Sequence, residues 1–273
     1  MRILVTNDDG VVSPGLWALA DALVEAGHDV TVVAPSSERS GAGAAIGHIV
    51  PGEGVVVSAV DRPGWEGRAW AVDGAPALCV LLALRSEHFG VGYEVLASGI
   101  NPGYNTGLSV IHSGTVGAAL TAGNSGVSAV AVSLQAPTSQ VGEVGLRPGV
   151  REHWATAAGL AVGLVAGLAE LGPGTILNLN VPNVPAADLR EVRTATLSRF
   201  AAASLRPTAS AIGPDGRLRF DLGPPPIAPV EGSDNALLAE GVATVTALAS
   251  VAALELPGLP GLVGGLLGER STA

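Results

Sequence analysis

Two adjacent acidic residues, Asp8 and Asp9, follow a short β-rich run over residues 2–6. Two carboxylates at a strand end can supply hard oxygen donors to one cation. A hydroxyl from Ser40 and an amide oxygen from Asn101, each in a loop after a predicted strand, would add neutral donors. This all-oxygen set favours magnesium, manganese or calcium over zinc. An Asp-Asp-Gly sequence is also typical of a turn with a helix-capping carboxylate, so the pair alone leaves both interpretations open.

The charge of this donor set suits an anionic substrate. Two carboxylates roughly neutralise a divalent cation, whereas a third carboxylate would repel an incoming phosphate. Neutral serine and asparagine ligands therefore fit a metal that must also accept an anion. If the metal interpretation holds, the candidate donors for one divalent metal per subunit are Asp8, Asp9, Ser40 and Asn101.

A second polar segment, Ser113-Gly114-Thr115, opens a predicted helix. A helix start presents backbone N–H groups and the positive end of the helix dipole, so it can bind phosphate without any lysine. The same triplet is also an ordinary helix N-cap, and the sequence leaves both interpretations open. The neighbouring His112 could assist at a phosphate site. No histidine pair has the i, i+4 spacing of a helical zinc site.

The composition excludes several classes of enzyme. All 14 basic residues are arginine, so a P-loop of the GK[ST] type, a pyridoxal-phosphate enzyme and a Schiff-base aldolase lack their lysine. Two-component receiver domains and haloacid-dehalogenase-type phosphatases also normally use a lysine. A serine hydrolase of the G-x-S-x-G type and a dinucleotide-dependent dehydrogenase lack their motifs.

Charge and cysteine content exclude further kinds of binding partner and metal site. The net charge of −10 argues against a protein that coats a nucleic acid polymer, because that function needs a basic face. The single cysteine, Cys79, excludes an intrachain disulfide and a Cys-cluster zinc site. The amino terminus turns polar too early for a signal peptide. The longest uncharged apolar run, about 154–169, is shorter than the roughly 20 residues that span a bilayer. We therefore expect a cytoplasmic protein without a membrane partner.

Strand and helix patterns alternate over the first part of the chain and place these polar loops. A β-rich run, an amphipathic helix and a second β-rich run over residues 2–34 form a β-α-β unit. Continuous apolar strands predict a parallel sheet covered on both faces. The prediction is an α/β fold, a Rossmann-like three-layer α/β/α core over residues 1–185. Two short strands over 55–60 and 69–72 are predicted to form a side feature.

The pattern weakens after residue 185. Residues 186–256 are predicted to be a carboxy-terminal extension, with a β-hairpin and with strand and helix packing on the core or on a partner subunit. Residues 257–273 form a tail. The extension is predicted to serve oligomerisation.

Together these motifs resemble the survival protein E (SurE) family of metal-dependent nucleotidases. The resemblance covers about residues 1–250. The segments that carry it are Arg2-Ile-Leu-Val-Thr-Asn-Asp-Asp-Gly10, Ser13-Pro14-Gly15, Val33-Ala34-Pro35, Arg39-Ser40-Gly41, Ser98-Gly-Ile-Asn101-Pro-Gly-Tyr-Asn105-Thr-Gly107, His112-Ser-Gly-Thr-Val116, Ile176-Leu-Asn-Leu-Asn-Val-Pro182, Gly232-Ser-Asp234 and 242–248.

The resemblance implies hydrolysis of nucleoside 5′-monophosphates, with some activity on 3′-monophosphates or short polyphosphate, by a homodimer or homotetramer. Carried over by position, Asp8, Asp9, Ser40 and Asn101 match the metal ligands. The residues that match the family's phosphate site are Asn105, Ser113, Gly114 and Thr115. The resemblance thus implies a catalytic set of Asp8, Asp9, Asn105, Ser113 and Thr115, with magnesium or manganese as the cofactor.

The chain departs from the family pattern in three places. The loop after Ser40, which usually carries Asn, Ser and Thr, is here Gly41-Ala-Gly-Ala-Ala-Ile-Gly47. The segment Gly74-Ala-Pro-Ala-Leu-Cys79 lacks the family's acid, and residues 199–214 match poorly. Two alternatives therefore stay open: a phosphatase for non-nucleotide phosphomonoesters, and a non-catalytic phosphate- or nucleotide-binding protein.

Overall fold

A nine-stranded, mostly parallel sheet forms the centre of the structure, a computed structural model. The structure describes residues 1–47, 49, 52–65, 67–136, 152–200, 204–208, 212–223, 227–253, 255, 257 and 260. The strands are β1 (Arg2–Thr6), β2 (Asp29–Pro35), β3 (Val57–Ala59), β4 (Arg68–Val72), β5 (Val95–Pro102), β6 (Ser128–Leu134), β7 (Ile176–Val181), β8 (Val192–Thr194), β9 (Ser204–Pro207), β10 (Phe220–Gly223) and β11 (Ala243–Leu248). Their order in the sheet is β3-β4-β2-β1-β5-β6-β7-β11-β8.

Helices cover both faces of this sheet. They are α1 (Pro14–Glu25), α2 (Pro76–Arg85), α3 (Gly114–Asn124), α4 (Trp154–Leu168) and α5 (Asp234–Ala239). Helices α1 and α4 pack together on one face, and α2 and α3 pack together on the other. Each pair encloses its own core, built mainly of Val, Leu, Ile and Ala. The predicted three-layer α/β fold is confirmed.

The order of the strands fixes where a ligand can bind. From β1 the chain moves to β2 on one side, and it later returns to pair β5 with β1 on the other side. The sheet therefore has its topological switch point between β1 and β5. In open α/β sheets, ligands bind beside such a point, outside the carboxyl ends of the strands. Asp8 and Asn101 lie on the two sides of it.

The two short strands after residue 55 are part of the main sheet rather than a side feature. Strand β4 pairs in parallel with β2, and β3 adds an antiparallel edge strand. The prediction of a side feature was wrong. A long loop separates β2 from β3 and β4, and the sequence carries no signal that β4 pairs with β2 across it.

The carboxy-terminal part adds to the same sheet. Strand β11 pairs antiparallel with β7, and β8 pairs in parallel with β11. Strands β9 and β10 form a separate antiparallel hairpin. The boundary near residue 185 stays a prediction, and the predicted tail lies almost wholly outside the described residues. None of the helices in the described ranges combines the length and apolar character needed to cross a bilayer.

Candidate active site at the carboxyl edge of the sheet

A cavity of about 640 Å³ opens at the switch point. It is lined by residues from the loops after β1, β2 and β5, from the start of α3 and from the start of α4. The predicted site residues that line it are Asp8, Asp9, Ser40, Asn101, Asn105 and Ser113, and His112 lines it as well. The structure therefore brings together side chains that are more than 100 positions apart in the sequence.

Asp8 is held rigidly against the start of helix α3. Its side chain is buried, and the Thr115 hydroxyl donates a hydrogen bond of 2.5 Å to Asp8 Oδ1. Burial raises the pKa of the Asp8 carboxyl, whereas hydrogen bonds from the Thr115 hydroxyl and from backbone N–H groups, including those of Gly114 and Thr115, oppose that rise. The positive end of α3 thus faces the Asp8 carboxylate.

Gly114 is the residue that allows this close approach. A Cβ atom built on Gly114 would lie 2.7 Å from Asp8 Cβ and 2.8 Å from Asp8 Oδ2. Carbon atoms in van der Waals contact are about 3.5–4.0 Å apart. Any side chain at this position would therefore displace Asp8 or the first turn of α3.

Thr115 does not line the cavity. It is fully buried, and its hydroxyl is bonded to Asp8. Ser113 does line the cavity, and its Oγ accepts a hydrogen bond of 3.1 Å from the Val116 N–H, the geometry of an N-cap. The two interpretations of this triplet therefore coexist at Ser113, since a capping hydroxyl can still donate its proton into the cavity.

Asp9 carries a buried carboxylate oxygen that has no hydrogen-bond partner in the part of the chain that the structure describes. No described group hydrogen-bonds to Asp9 Oδ2. Burial, followed by the negative charges of Asp8 and Glu38, raises the pKa of Asp9 to about 7. A buried anionic oxygen without a donor is costly unless a cation compensates it. The Asp9 environment is therefore the kind that a metal ion stabilises.

Ser40 and Asn101 both have oxygen lone pairs free for a cation. The Ser40 hydroxyl donates to Glu38 Oε1 at 2.9 Å, which leaves its lone pairs unengaged. The Asn101 amide nitrogen donates to the Gly103 carbonyl at 2.7 Å, which assigns the other side-chain atom as the free oxygen. Both groups fit the predicted role of neutral oxygen donors.

The backbone around these donors is fixed by further hydrogen bonds. The Arg39 N–H donates to the Asp8 carbonyl at 2.7 Å, which joins the loop after β2 to the loop after β1. The Asn7 side chain donates to the Gly10 carbonyl at 3.0 Å and closes the turn that carries the two aspartates. Ser40 is thereby held next to the aspartates although it lies in a different loop.

The position of Asn105 is determined by strands β6 and β7. Its backbone N–H donates to Asn180 Oδ1 at 2.8 Å, and its carbonyl accepts from the side chains of Asn178 and Asn180 at 2.8 and 2.9 Å. Its own side chain donates to Ser133 Oγ at 2.9 Å. Asn178 and Asn180 are fully buried. This network orients the Asn105 side chain in the cavity wall.

The carboxy-terminal segment holds the same loop from the other side. Asp234 is fully buried, and its carboxylate accepts from the Gly107 N–H at 2.7 Å and from the Ser198 N–H at 2.9 Å. These two donors belong to the loop after Asn105 and to the segment after β8. The segment after residue 185 therefore supports the cavity directly.

A divalent cation fits the donors that the structure provides. Four of the residues that line one cavity are Asp8, Asp9, Ser40 and Asn101. They carry the orphaned Asp9 oxygen, the buried Asp8 carboxylate and two neutral oxygens. Within the described ranges, no group of three His, Cys, Asp or Glu side chains is placed to hold a metal. A metal here would accordingly need the serine and asparagine oxygens, and such hard donors suit magnesium or manganese.

Sequence reasoning missed several residues of the cavity. Glu38 adds a third carboxylate to the lining, contrary to the expected balance of two. Tyr104 and Trp154 add aromatic rings. Asn178 and Asn180 do not line the cavity, but their side chains hydrogen-bond to the backbone of Asn105, which does. Their signal was present in the sequence, because alternate asparagines on an apolar strand place two polar side chains on the same buried face.

Three comparisons with known proteins agree with one another. The family described as "Survival protein SurE" matches residues 3–204. A protein of Desulfatibacillum aliphaticivorans described as 5′-nucleotidase SurE is 41% identical over 196 residues, covering 71% of this chain and 70% of that protein. A protein of the same description from Acinetobacter baumannii (strain AYE) is 36% identical over 259 residues, covering 90% and 92%. The crystal structure of the SurE protein from Aquifex aeolicus matches with a TM-score of 0.72 and 26% identity, covering 98% of this chain and 99% of that chain.

Proposed function

Because the chain belongs to the survival protein SurE family, we propose that it is a metal-dependent 5′-nucleotidase, which hydrolyses nucleoside 5′-monophosphates to a nucleoside and phosphate. The relatives named above carry that activity in their descriptions. The single observation that supports it best is the buried, unpartnered Asp9 oxygen beside Asp8, Ser40 and Asn101. A cation at this position would neutralise the two carboxylates, and a cation next to a cavity attracts a phosphate.

The roles of the residues follow from their contacts. Asp8, Asp9, Ser40 and Asn101 would hold the metal, which would withdraw charge from a phosphate oxygen. Asp8 or Asp9 holds the attacking water in line or accepts its proton. As the water oxygen bonds to phosphorus, the bond between phosphorus and the 5′ oxygen breaks. The proton that the aspartate accepted passes to the 5′ oxygen, and the nucleoside leaves as the alcohol.

A second group of residues stabilises the charge of the transferred phosphoryl group. The Asn105 amide and the Ser113 hydroxyl lie in the cavity wall and can donate to the equatorial oxygens. Thr115 acts one step further away, since its hydroxyl is directed at Asp8. We assign Gly114 and Thr115 to the placement of Asp8 rather than to direct contact with phosphate.

The identity of the metal and the assembly state belong to the same proposal. Magnesium or manganese fits the hard oxygen donors, and calcium can occupy the same ligands. A homodimer or homotetramer is supported by exposed apolar side chains in the carboxy-terminal segment, namely Ile212, Leu218, Phe220, Ile227, Val230 and Val251. The reaction takes place in the cytoplasm, on a small phosphomonoester rather than on a nucleic acid polymer.

One observation favours a second candidate substrate class. The loop after Ser40 presents no hydrogen-bonding side chain between Gly41 and Gly47, because it consists only of Gly, Ala and Ile. Selection of a nucleotide by side-chain hydrogen bonds from this segment is therefore excluded. A phosphatase that also accepts non-nucleotide phosphomonoesters or short polyphosphate is the alternative that this loop supports.

A phosphate-release assay tests the proposal. Release from AMP in the presence of manganese should be abolished by a chelator and restored by added metal. Asp8→Asn and Asp9→Asn should each lower kcat by more than about 100-fold, while Asp188→Asn, the same change at an exposed position outside the cavity, should leave it unaltered. Nucleotide binding without release would instead indicate a phosphate or nucleotide sensor.

A further inference from the structure

The cavity is larger than the reaction at phosphorus requires. Its volume of about 640 Å³ falls within the range of pockets that enclose whole small molecules, about 300–1,000 Å³. Asp8, Asp9 and Ser113 provide a polar part of its wall, whereas Tyr104 and Trp154 provide aromatic rings. The phosphoryl group has no use for these rings. They are available to the group that is esterified to the phosphate.

Tyr104 presents its ring rather than its hydroxyl. The hydroxyl oxygen is buried and has no hydrogen-bond partner among the described residues, although Tyr104 is one of the residues that line the cavity. Burial also raises the pKa of the Tyr104 hydroxyl, so it stays protonated. The part of Tyr104 that a ligand can reach is therefore a flat apolar surface.

Trp154 is fixed in place before any ligand arrives. Its indole Nε1 donates to Glu152 Oε2 at 2.8 Å. Its ring packs over the start of α1, where a Cβ atom on Gly15 would lie 3.1 Å from Trp154 Cζ3 and 2.2 Å from the Ile100 carbonyl oxygen. A ring held on one edge by a hydrogen bond and packed against a glycine loses little freedom when a ligand stacks on it.

We propose that Tyr104 and Trp154 form a subsite for the nucleobase, and that this subsite selects nucleotides over phosphate esters that lack a planar ring. The inference rests on the proposed function and adds its specificity determinant. Stacking suits the site because the loop after Ser40 offers no polar side chain to the base. Each stacked base changes affinity by roughly fivefold to 150-fold.

Two substrates that differ only in the base test this subsite. AMP and ribose 5-phosphate share the phosphate and the sugar, and both are assayed by phosphate release with manganese. The wild-type protein should show a kcat/KM at least about tenfold higher for AMP. Tyr104→Leu should lower the value for AMP about tenfold, with the change in KM, and the value for ribose 5-phosphate by less than about twofold. Tyr104→Phe, which keeps the ring and removes the orphaned hydroxyl, should retain the wild-type preference.

Other outcomes overturn the inference. Equal loss with both substrates would assign Tyr104 a structural role, and an unaltered preference in Tyr104→Leu would remove the ring from recognition. Equal kcat/KM values for the two substrates in the wild-type protein would overturn the subsite while the phosphatase function stands. Release from neither substrate would overturn the proposed function itself.

A measurement on the wild-type protein covers the case in which Tyr104→Leu does not fold. Adenosine should inhibit the hydrolysis of ribose 5-phosphate competitively, because it can occupy the base subsite without a phosphate. Free ribose at the same concentration should not inhibit. If adenosine and ribose behave alike, the aromatic rings do not bind the base.

Discussion

Replacing Gly114 by alanine should damage the active site while leaving the fold nearly intact. The new Cβ would lie 2.7 Å from Asp8 Cβ, which is about 0.8 Å inside the shortest optimal separation of two carbon atoms. Asp8 is buried and hydrogen-bonded to Thr115, so its side chain can relieve this contact only by moving within the site. A displacement of roughly 1 Å at a reacting group costs about 100-fold in rate.

The expected effect on stability is small by comparison. Alanine is about 1 kcal/mol better than glycine in a helix, and overpacking costs about 1–3 kcal/mol, so the net loss should not exceed about 2 kcal/mol. The matched control is Gly159→Ala on α4, where a new Cβ meets nothing within 4 Å. That variant should gain up to about 1 kcal/mol without any change in rate.

The assay combines phosphate release from AMP at saturating manganese with thermal unfolding of both variants. We expect a fall in kcat/KM of about 100-fold for Gly114→Ala at a Tm within about 5 °C of the wild type. A Gly114→Ala protein that retains its kcat/KM within about twofold would refute the claim that Asp8 must stay where α3 holds it. Loss of activity in Gly159→Ala would show that the assay does not separate the site from general helix effects.

Two further substitutions probe groups around the site, and a thiol titration probes the buried Cys79 on α2. Thr115→Val removes the hydroxyl that donates to Asp8, so kcat should fall about tenfold and stability by about 1–3 kcal/mol, as measured by phosphate release and urea unfolding. Asn180→Ala breaks both of its hydrogen bonds to the Asn105 backbone and should lower kcat more than it raises KM, a split that steady-state kinetics resolves. The thiol of Cys79 is buried, and burial raises its pKa to about 12, so almost no thiolate forms at pH 8. Ellman's reagent should therefore find no reactive thiol in the folded protein and one thiol per chain in guanidinium chloride.

The parts of the fold that depend on local patterns were predictable from the sequence. Strand β1, helix α1 and strand β2 follow from an apolar run, a helical repeat that begins after Pro14-Gly15, and a second apolar run. The rule that ligands bind at the carboxyl edge of such a sheet was enough to bring Asp8 and Asn101 together. The resemblance to a family supplied Ser40, which composition alone could not single out from other loop serines.

The contacts that depend on register across the sheet were not predictable. Strand β4 joins β2 after a long loop, and only its pairing shows that it belongs to the main sheet. The hydrogen bonds from Asn178 and Asn180 to Asn105 join strand β7 to the loop after β5. These two strands are not adjacent, because β6 lies between them in the sheet. Glu38 lines the cavity because of the conformation of the loop after β2. The sequence contains no pattern that predicts this conformation.

Calorimetric titration of the metal-free protein with manganese tests the central claim, that oxygens of Asp8, Asp9, Ser40 and Asn101 hold one divalent cation. The wild type should bind one manganese ion per chain, and Asp8→Asn and Asp9→Asn should each weaken binding by more than about 100-fold. Asp188→Asn should bind as the wild type does. Undiminished manganese binding in both site variants would contradict the account.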